Sequence, residues 1–307
     1  MTDLIFHHYP NSPFSEKVRV AFGLKQLAWR SVEIPNIMPK PDLMPLTGGY
    51  RKTPVLQVGA DVYCDTQLIM LEIERRTPEP HLLPVGQEGV ARALAMWLDR
   101  NIFWAAVGVV MGAIGDKLPE AFQKDRSEFS GRSFDPARLK AAQPFAREQT
   151  YGQLQLAEEM LRDGRPFLLG AVASLADCAL YNPVWFLQVR MGQGNAPSPL
   201  DRLPKIVEWS QRMKALGNGK PTPMTGPEAL DVAKAATPAA TKVDDKDPSG
   251  LKAGQKVSVT PDDTGKVPVT GELVGLSADR VSIKRTDERV GDVVVHFPRA
   301  GFVVAAP

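Results

Sequence analysis

Three folded units in series are predicted for this chain of 307 residues. They are an α/β domain over 1–80, an all-helical domain over 85–216 and a small all-β barrel over 251–307, with a flexible linker over 217–250. Three observations predict this multidomain layout. The opening segments switch between strand and helix periods, every segment from Glu88 to Leu216 carries helical spacing, and short alternating runs bounded by turn residues recur after Gly250.

In the first unit, Leu4-Ile5-Phe6-His7-His8-Tyr9 reads as a strand. Phe14, Val18 and Phe22 then recur at helical spacing, with Lys17, Arg19 and Lys25 on other faces. Ser12 stands where an N-cap belongs and Pro13 where the first helical residue belongs. That turn aims a hydroxyl at the positive end of a helix, beside unpaired backbone N–H groups, which is a place to hold an anion such as a thiolate. Trp29 to Ile34 alternates as a second strand, and Pro35 to Gly49, with four prolines and two glycines, is expected to be an irregular loop. Thr53–Val58 and Asp61–Tyr63 flank Gly59-Ala60 as a hairpin. Asp65-Thr66 caps a further helix that carries Leu68, Ile69, Leu71 and Ile73. Strand, helix, strand, hairpin, helix is the order of a thioredoxin-like α/β domain.

Thr77-Pro78-Glu79-Pro80 ends that unit. Helices are expected from about Glu88 to Gly115, from Asp135-Pro136 to near Gly164, from Ser174, and over Leu203–Met213. Ser174 and Asp177 have capping-box spacing, in which each side chain satisfies a backbone N–H at the helix start. From 217 to 250 almost no large apolar residue occurs, and such a segment is expected to stay mobile. Five apolar or alternating runs between Gln255 and Val304 then make the small barrel, near the lower size limit for independent folding.

Composition excludes several function classes. Lysine and arginine total 37 against 35 acidic residues, a net charge of +2, so no global field recruits nucleic acid or acidic lipid. From Lys246 onward nine basic residues face eight acidic ones and the only rings are Phe297 and Phe302, which does not describe a nucleic-acid barrel. Cys64 and Cys178 form no short-spaced pair, and no secretory signal is expected at Met1-Thr2-Asp3, so a soluble protein of the reducing cytoplasm is expected. The longest uncharged run, Asn101 to Gly115, is too short for a bilayer. His7 and His8 have no ligand partners in sequence and are expected to be structural, one facing the core and one outward, and no metal is expected.

The Ser12-Pro13-Phe14-Ser15 turn, Thr53-Pro54 and Asp65-Thr66, in that order and ahead of an all-helical unit, resemble the cytosolic glutathione transferase family over about residues 4 to 216. The resemblance implies glutathione as cosubstrate. Ser12, or Ser15 one helical turn on, would donate a hydrogen bond to its sulfur. A free thiol has a pKa of roughly 8.5, so stabilisation by one or two units leaves it mostly ionised near neutral pH. Neither serine can run dithiol exchange, because both positions of a Cys-x-x-Cys motif lack sulfur.

By the same resemblance Pro54 is expected to be cis, and the backbone of Thr53 or Val55 would pair with the cysteinyl part. Asp65 and Thr66 would take the γ-glutamyl end, although an aspartate and a threonine stand where the family pattern has glutamate and serine. Arg51 and Lys52 would meet the glycyl carboxylate. Phe103 and Trp104 would border the pocket of the small electrophile, with core packing the competing role for each ring. A homodimer is implied. The β tail lies outside the family pattern, which leaves an alternative: a non-catalytic transferase-fold scaffold or binding protein whose tail recruits a protein partner.

Overall fold

The computed structural model describes residues 3–191 and 198–306. β1 (Ile5–His8) leads through the Ser12 turn into α1 (Pro13–Leu24) and β2 (Ala28–Glu33). A one-turn helix α2 (Met44–Thr47) interrupts the expected loop, followed by the hairpin β3 (Val55–Val58) and β4 (Asp61–Cys64) and then α3 (Thr66–Arg76). β1 runs parallel to β2 and antiparallel to β3, and β3 pairs with β4, giving the order β2-β1-β3-β4 of a thioredoxin-like sheet.

Side chains alternate across this sheet. Phe6, Leu56 and Tyr63 pack into one core with α1, α3 and the helical domain, while Ile5, Val55 and Val62 pack into a second core on the other face. Because both faces are covered, His7 and His8 are both buried, and the expectation that one faces outward is corrected. His7 shares a hydrogen bond with Gln57, 2.9 Å away, and His8 bonds Ser31 at 2.8 Å and Arg19 at 3.0 Å. The cations of α1 are buried for a similar reason. Lys17 pairs with Asp99, Arg19 with Glu16 and Lys25 with Glu74, because the helical domain covers the side of α1 that would otherwise face solvent.

The helical domain comprises α4 (Glu88–Trp97), a π-helical turn over Leu98–Ile102, α5 (Phe103–Ile114), α6 (Glu120–Ser130), α7 (Pro136–Met160), α8 (Leu175–Met191) and α9 (Pro204–Ala215). The continuous helix Glu88–Lys117 has 30 residues and is long and apolar enough to cross a membrane. Here its buried residues, among them Leu98, Ile102, Val109 and Val110, fill the domain core. The sequence expectation of too short a run holds for Asn101 to Gly115 and not for the whole helix. Only the Asp177 half of the Ser174–Asp177 box forms: its carboxylate accepts from Ser174 N and from the Ser174 hydroxyl, and also from Leu168 N and Trp209 Nε1, tying three segments together.

The segment expected as a mobile linker is ordered. β5 (Lys220–Pro223) runs parallel to β2, and α10 (Gly226–Lys234), opened by a Thr225–Glu228 capping box, lies on the second face of the sheet. Its few apolar residues need no core of their own, because Ala229, Leu230 and Val243 complete a core supplied by others.

β6 (Lys256–Pro261), β7 (Val269–Leu276), β8 (Arg280–Asp287), β9 (Gly291–Pro298) and β10 (Phe302–Ala305) form the all-β tail. It is not a detached unit. β9 pairs parallel with β4, so the whole molecule shares one ten-stranded sheet, β10-β6-β7-β8-β9-β4-β3-β1-β2-β5. At that joint His296, buried, bonds Ser282 at 2.8 Å and Asp61 at 3.0 Å, and Asp61 also accepts from Ala239 N. Burial lowers the His296 pKa and keeps this bridge a neutral imidazole.

Candidate functional site

Ser12 has the extended backbone of an N-cap, φ −82° and ψ 117°, and its Oγ accepts from Ser15 N at 3.1 Å. Pro13 occupies the first helical position, where its missing N–H costs nothing. Accepting that bond leaves the Ser12 O–H proton uncommitted to the α1 backbone. The Tyr9 hydroxyl lies beside it. Burial raises the Tyr9 pKa, against the pull of nearby Arg126 and of Ser12 itself. Ser15 lies one turn in and is fully buried, and its Oγ has no partner among the described residues.

The Thr53–Pro54 bond is cis, as expected. Val55 lies inside β3, fully buried, with His7 and Cys64 as its neighbours on the two adjacent strands. Thr53 precedes the strand, and its hydroxyl receives Lys40 Nζ at 2.8 Å. Lys40 also donates to Arg51 O at 2.9 Å. Burial, reinforced by repulsion from Arg126 and Arg51, lowers the Lys40 pKa to about 7.

Asp65 caps α3 with Oδ1 on Gln67 N at 2.9 Å and sits at φ 72°, a conformation that favours glycine and that another residue adopts only when its surroundings hold it. The Thr66 hydroxyl accepts from Lys17 Nζ at 3.1 Å, and the same ammonium meets Asp99 Oδ2 at 2.5 Å. Asp99 belongs to the π-helical turn, whose extra residue re-aims the side chain toward α1. Burial raises its pKa, with Lys17 opposing, and Asp65 and Asn182 stand close by.

The predicted basic pair is occupied on both sides. Arg51 forms an ion pair with Asp125 of α6 and lies 5.4 Å over the Phe129 ring, and Lys52 pairs with Asp263 of the β tail. Phe103 is buried and its ring stands 4.4 Å from that of Phe14, directly after the Ser12 turn. Trp104, 5.5 Å from Phe103, is 43% exposed. Of the residues singled out in the sequence, Arg51, Lys52, Thr53 and Asp65 are partly exposed and Trp104 is exposed, whereas Ser12, Ser15, Pro54, Val55, Thr66 and Phe103 are buried.

Sequence reasoning missed Tyr9, Lys17, Lys40, Asp99 and Asp125. Only Lys17 carried a local signal, a cation within one turn of the Ser12 cap. The others arrive by tertiary contact. Both cysteines are free and buried, and burial raises the pKa of each thiol, so neither competes as a thiolate. Among the described residues no group of three or more metal-ligating side chains occurs.

Comparison with known proteins agrees with this geometry. Residues 6–81 match the glutathione S-transferase N-terminal domain, and 116–220 match a domain of unknown function. A GST-like protein from Pseudomonas syringae is 39% identical and superposes with a TM-score of 0.79, over 99% of this chain and 100% of that one. The chain belongs to the glutathione transferase family.

A glutathione S-transferase from Methylobacillus flagellatus, solved with glutathione bound, shares the fold at 20% identity and a TM-score of 0.53, over 72% of this chain and 100% of that one. FtsZ-localized protein A of Caulobacter vibrioides is 29% identical over 100 residues, which is 31% of this chain and 44% of that protein. The match therefore spans less than half the length of that curated relative.

Proposed function

We propose that this protein binds glutathione at the candidate site and stabilises its thiolate at Ser12 for attack on a small electrophilic carbon. The observation that carries the reading is the Ser12 hydroxyl, placed at the positive end of α1 and hydrogen-bonded with the Tyr9 hydroxyl, so that the two form one polar cluster. Ser12 is favoured over Ser15 because Ser12 is the N-cap, at the very end of α1, whereas Ser15 lies a turn inside the helix. Thr53 offers backbone to the cysteinyl part, Asp65 a carboxylate to the γ-glutamyl ammonium, and Lys52 a positive end for the glycyl carboxylate. Phe103, tilted against Phe14 with the ring centres 4.4 Å apart, forms an apolar wall where an electrophile meets the sulfur. We further propose a cytoplasmic protein that works as a homodimer.

Calorimetric titration of reduced glutathione, with thiolate absorbance followed on the same samples, tests the mechanism. Ser12→Ala is expected to keep most of the affinity and lose the thiolate signal, while Ser15→Ala keeps both. No binding at millimolar glutathione sinks the enzymatic reading.

A second reading is a scaffold whose surface recruits a protein partner. The internal pairing of Lys17, Arg51 and Lys52 favours it, as does the partial likeness to an FtsZ-localized protein. It predicts a full-length protein that pulls down a partner irrespective of Ser12.

A further inference from the structure

The connection between β6 and β7 leaves the tail sheet and crosses to the first two domains. Asp262 Oδ1 accepts from Arg100, on the π-helical turn, at 2.9 Å, and Asp263 pairs with Lys52. Gly265 N then donates to Phe129 O of α6 at 2.8 Å. The fit against Phe129 is close. Gly265 sits at φ +59°, and a Cβ there would lie 2.7 Å from a carbon of the Phe129 ring, so only glycine passes. Within six residues the connection is therefore fastened to the α/β domain, the π-helical turn and α6.

Its anchors adjoin residues of the candidate site. Lys52 immediately precedes Thr53-Pro54, and Arg100 immediately follows the Asp99 that pairs with Lys17. The tail also grips the loop that carries Lys40. Arg289 donates to Pro41 O at 2.9 Å and to Asp42 at 2.7 Å, and Arg285 donates to Pro45 O.

We propose that residues 262–267 are a strap across the candidate site and that Asp263 is a built-in competitor for its ligand. The Asp263 carboxylate holds Lys52 in the place of the carboxylate that a ligand's glycyl end brings. This inference rests on the glutathione reading above and deepens it, since the appended domain then sets the affinity of the site. The lock is weak by construction. The Lys52–Asp263 and Arg100–Asp262 pairs have acid side chains 41% and 40% exposed, and ion pairs of that kind contribute little each. Ligand carboxylate can therefore displace the strap rather than be shut out by it.

The test is calorimetric titration of full-length wild type and Asp263→Asn with reduced glutathione and with its glycyl monoethyl ester. Asparagine keeps the turn-forming side chain and removes the charge. Asp263→Asn is expected to bind glutathione about two- to fivefold more tightly, with the ester bound equally by both proteins. Equal glutathione affinity in the two proteins overturns the competition and leaves the glutathione reading standing. An equal gain for ester and acid also overturns it, because relief would then be steric and not a contest for Lys52. Failure of both proteins to bind either compound overturns the glutathione reading and the strap with it.

Discussion

Lys17 and Lys52 are each neutralised by an aspartate from another domain, yet the two pairs differ in kind. Lys17 is fully buried and Asp99 nearly so, at 2.5 Å, with Thr66 taking another of the ammonium protons. Lys52, 16% exposed, meets an Asp263 side chain that is 41% exposed. Removing one partner of the first pair strands a charge in a low-dielectric interior, whereas removing one partner of the second returns the other to solvent. The first pair is a fixed part of the interior. The second is adjustable, which is what a displaceable strap requires.

The largest effect that can break this contrast is expected from Lys17→Met. It should lower unfolding stability by about 3 kcal/mol, because Asp99 is left buried without its cation. Urea denaturation measures it, and adding Asp99→Leu should recover most of the loss. A Lys17→Met protein as stable as wild type would erase the distinction between the two pairs.

Acid extends the comparison to buried groups held neutral. Burial lowers the His7 pKa from 6.5 to about 4, so the folded protein excludes a proton that the unfolded chain binds between those values. Stability should be level above pH 6.5 and fall as pH drops toward 4, by about 3 kcal/mol for this group. His7→Gln should flatten that slope in urea titrations across the same range.

The smallest stability change is expected at the second pair. Lys52→Gln should alter unfolding stability by no more than about 0.5 kcal/mol. It should nevertheless weaken glutathione binding relative to the ester, and a large loss of stability would move Lys52 into the class of Lys17.

Local chemistry was readable before any coordinates. The Ser12 cap, the Thr53-Pro54 step and the Asp65 cap are each set by neighbours within a few residues, so their types announce the geometry. Lys40 was not legible, because a lysine in a proline-rich loop looks solvated until Thr53 and the backbone of Arg51 close on it. Asp99 was hidden by a helix that reads as uninterrupted, since a π-helical turn leaves no mark on composition. The 217–250 segment misled for a different reason. Poverty in large apolar residues argues against an independent core, but Leu230 and Val243 needed only a vacancy in someone else's. The tail strands were visible by alternation, whereas their pairing with β4 depends on a register no local pattern encodes.

The shared sheet also sets an order of assembly. A ribosome delivers β4 long before β9, and until β9 arrives the outer edge of β4 carries unpaired N–H and C=O groups. The opposite margin waits less and ends more safely. β5, Lys-Pro-Thr-Pro, lays two prolines along β2, and a strand that lacks those donors cannot template another. Growth of the nascent chain therefore leaves one sticky side and one blunt side on the emerging α/β unit. Any product interrupted before residue 291 keeps the sticky one, and only the arrival of β9 moves the margin of the sheet from β4 out to the short strand β10.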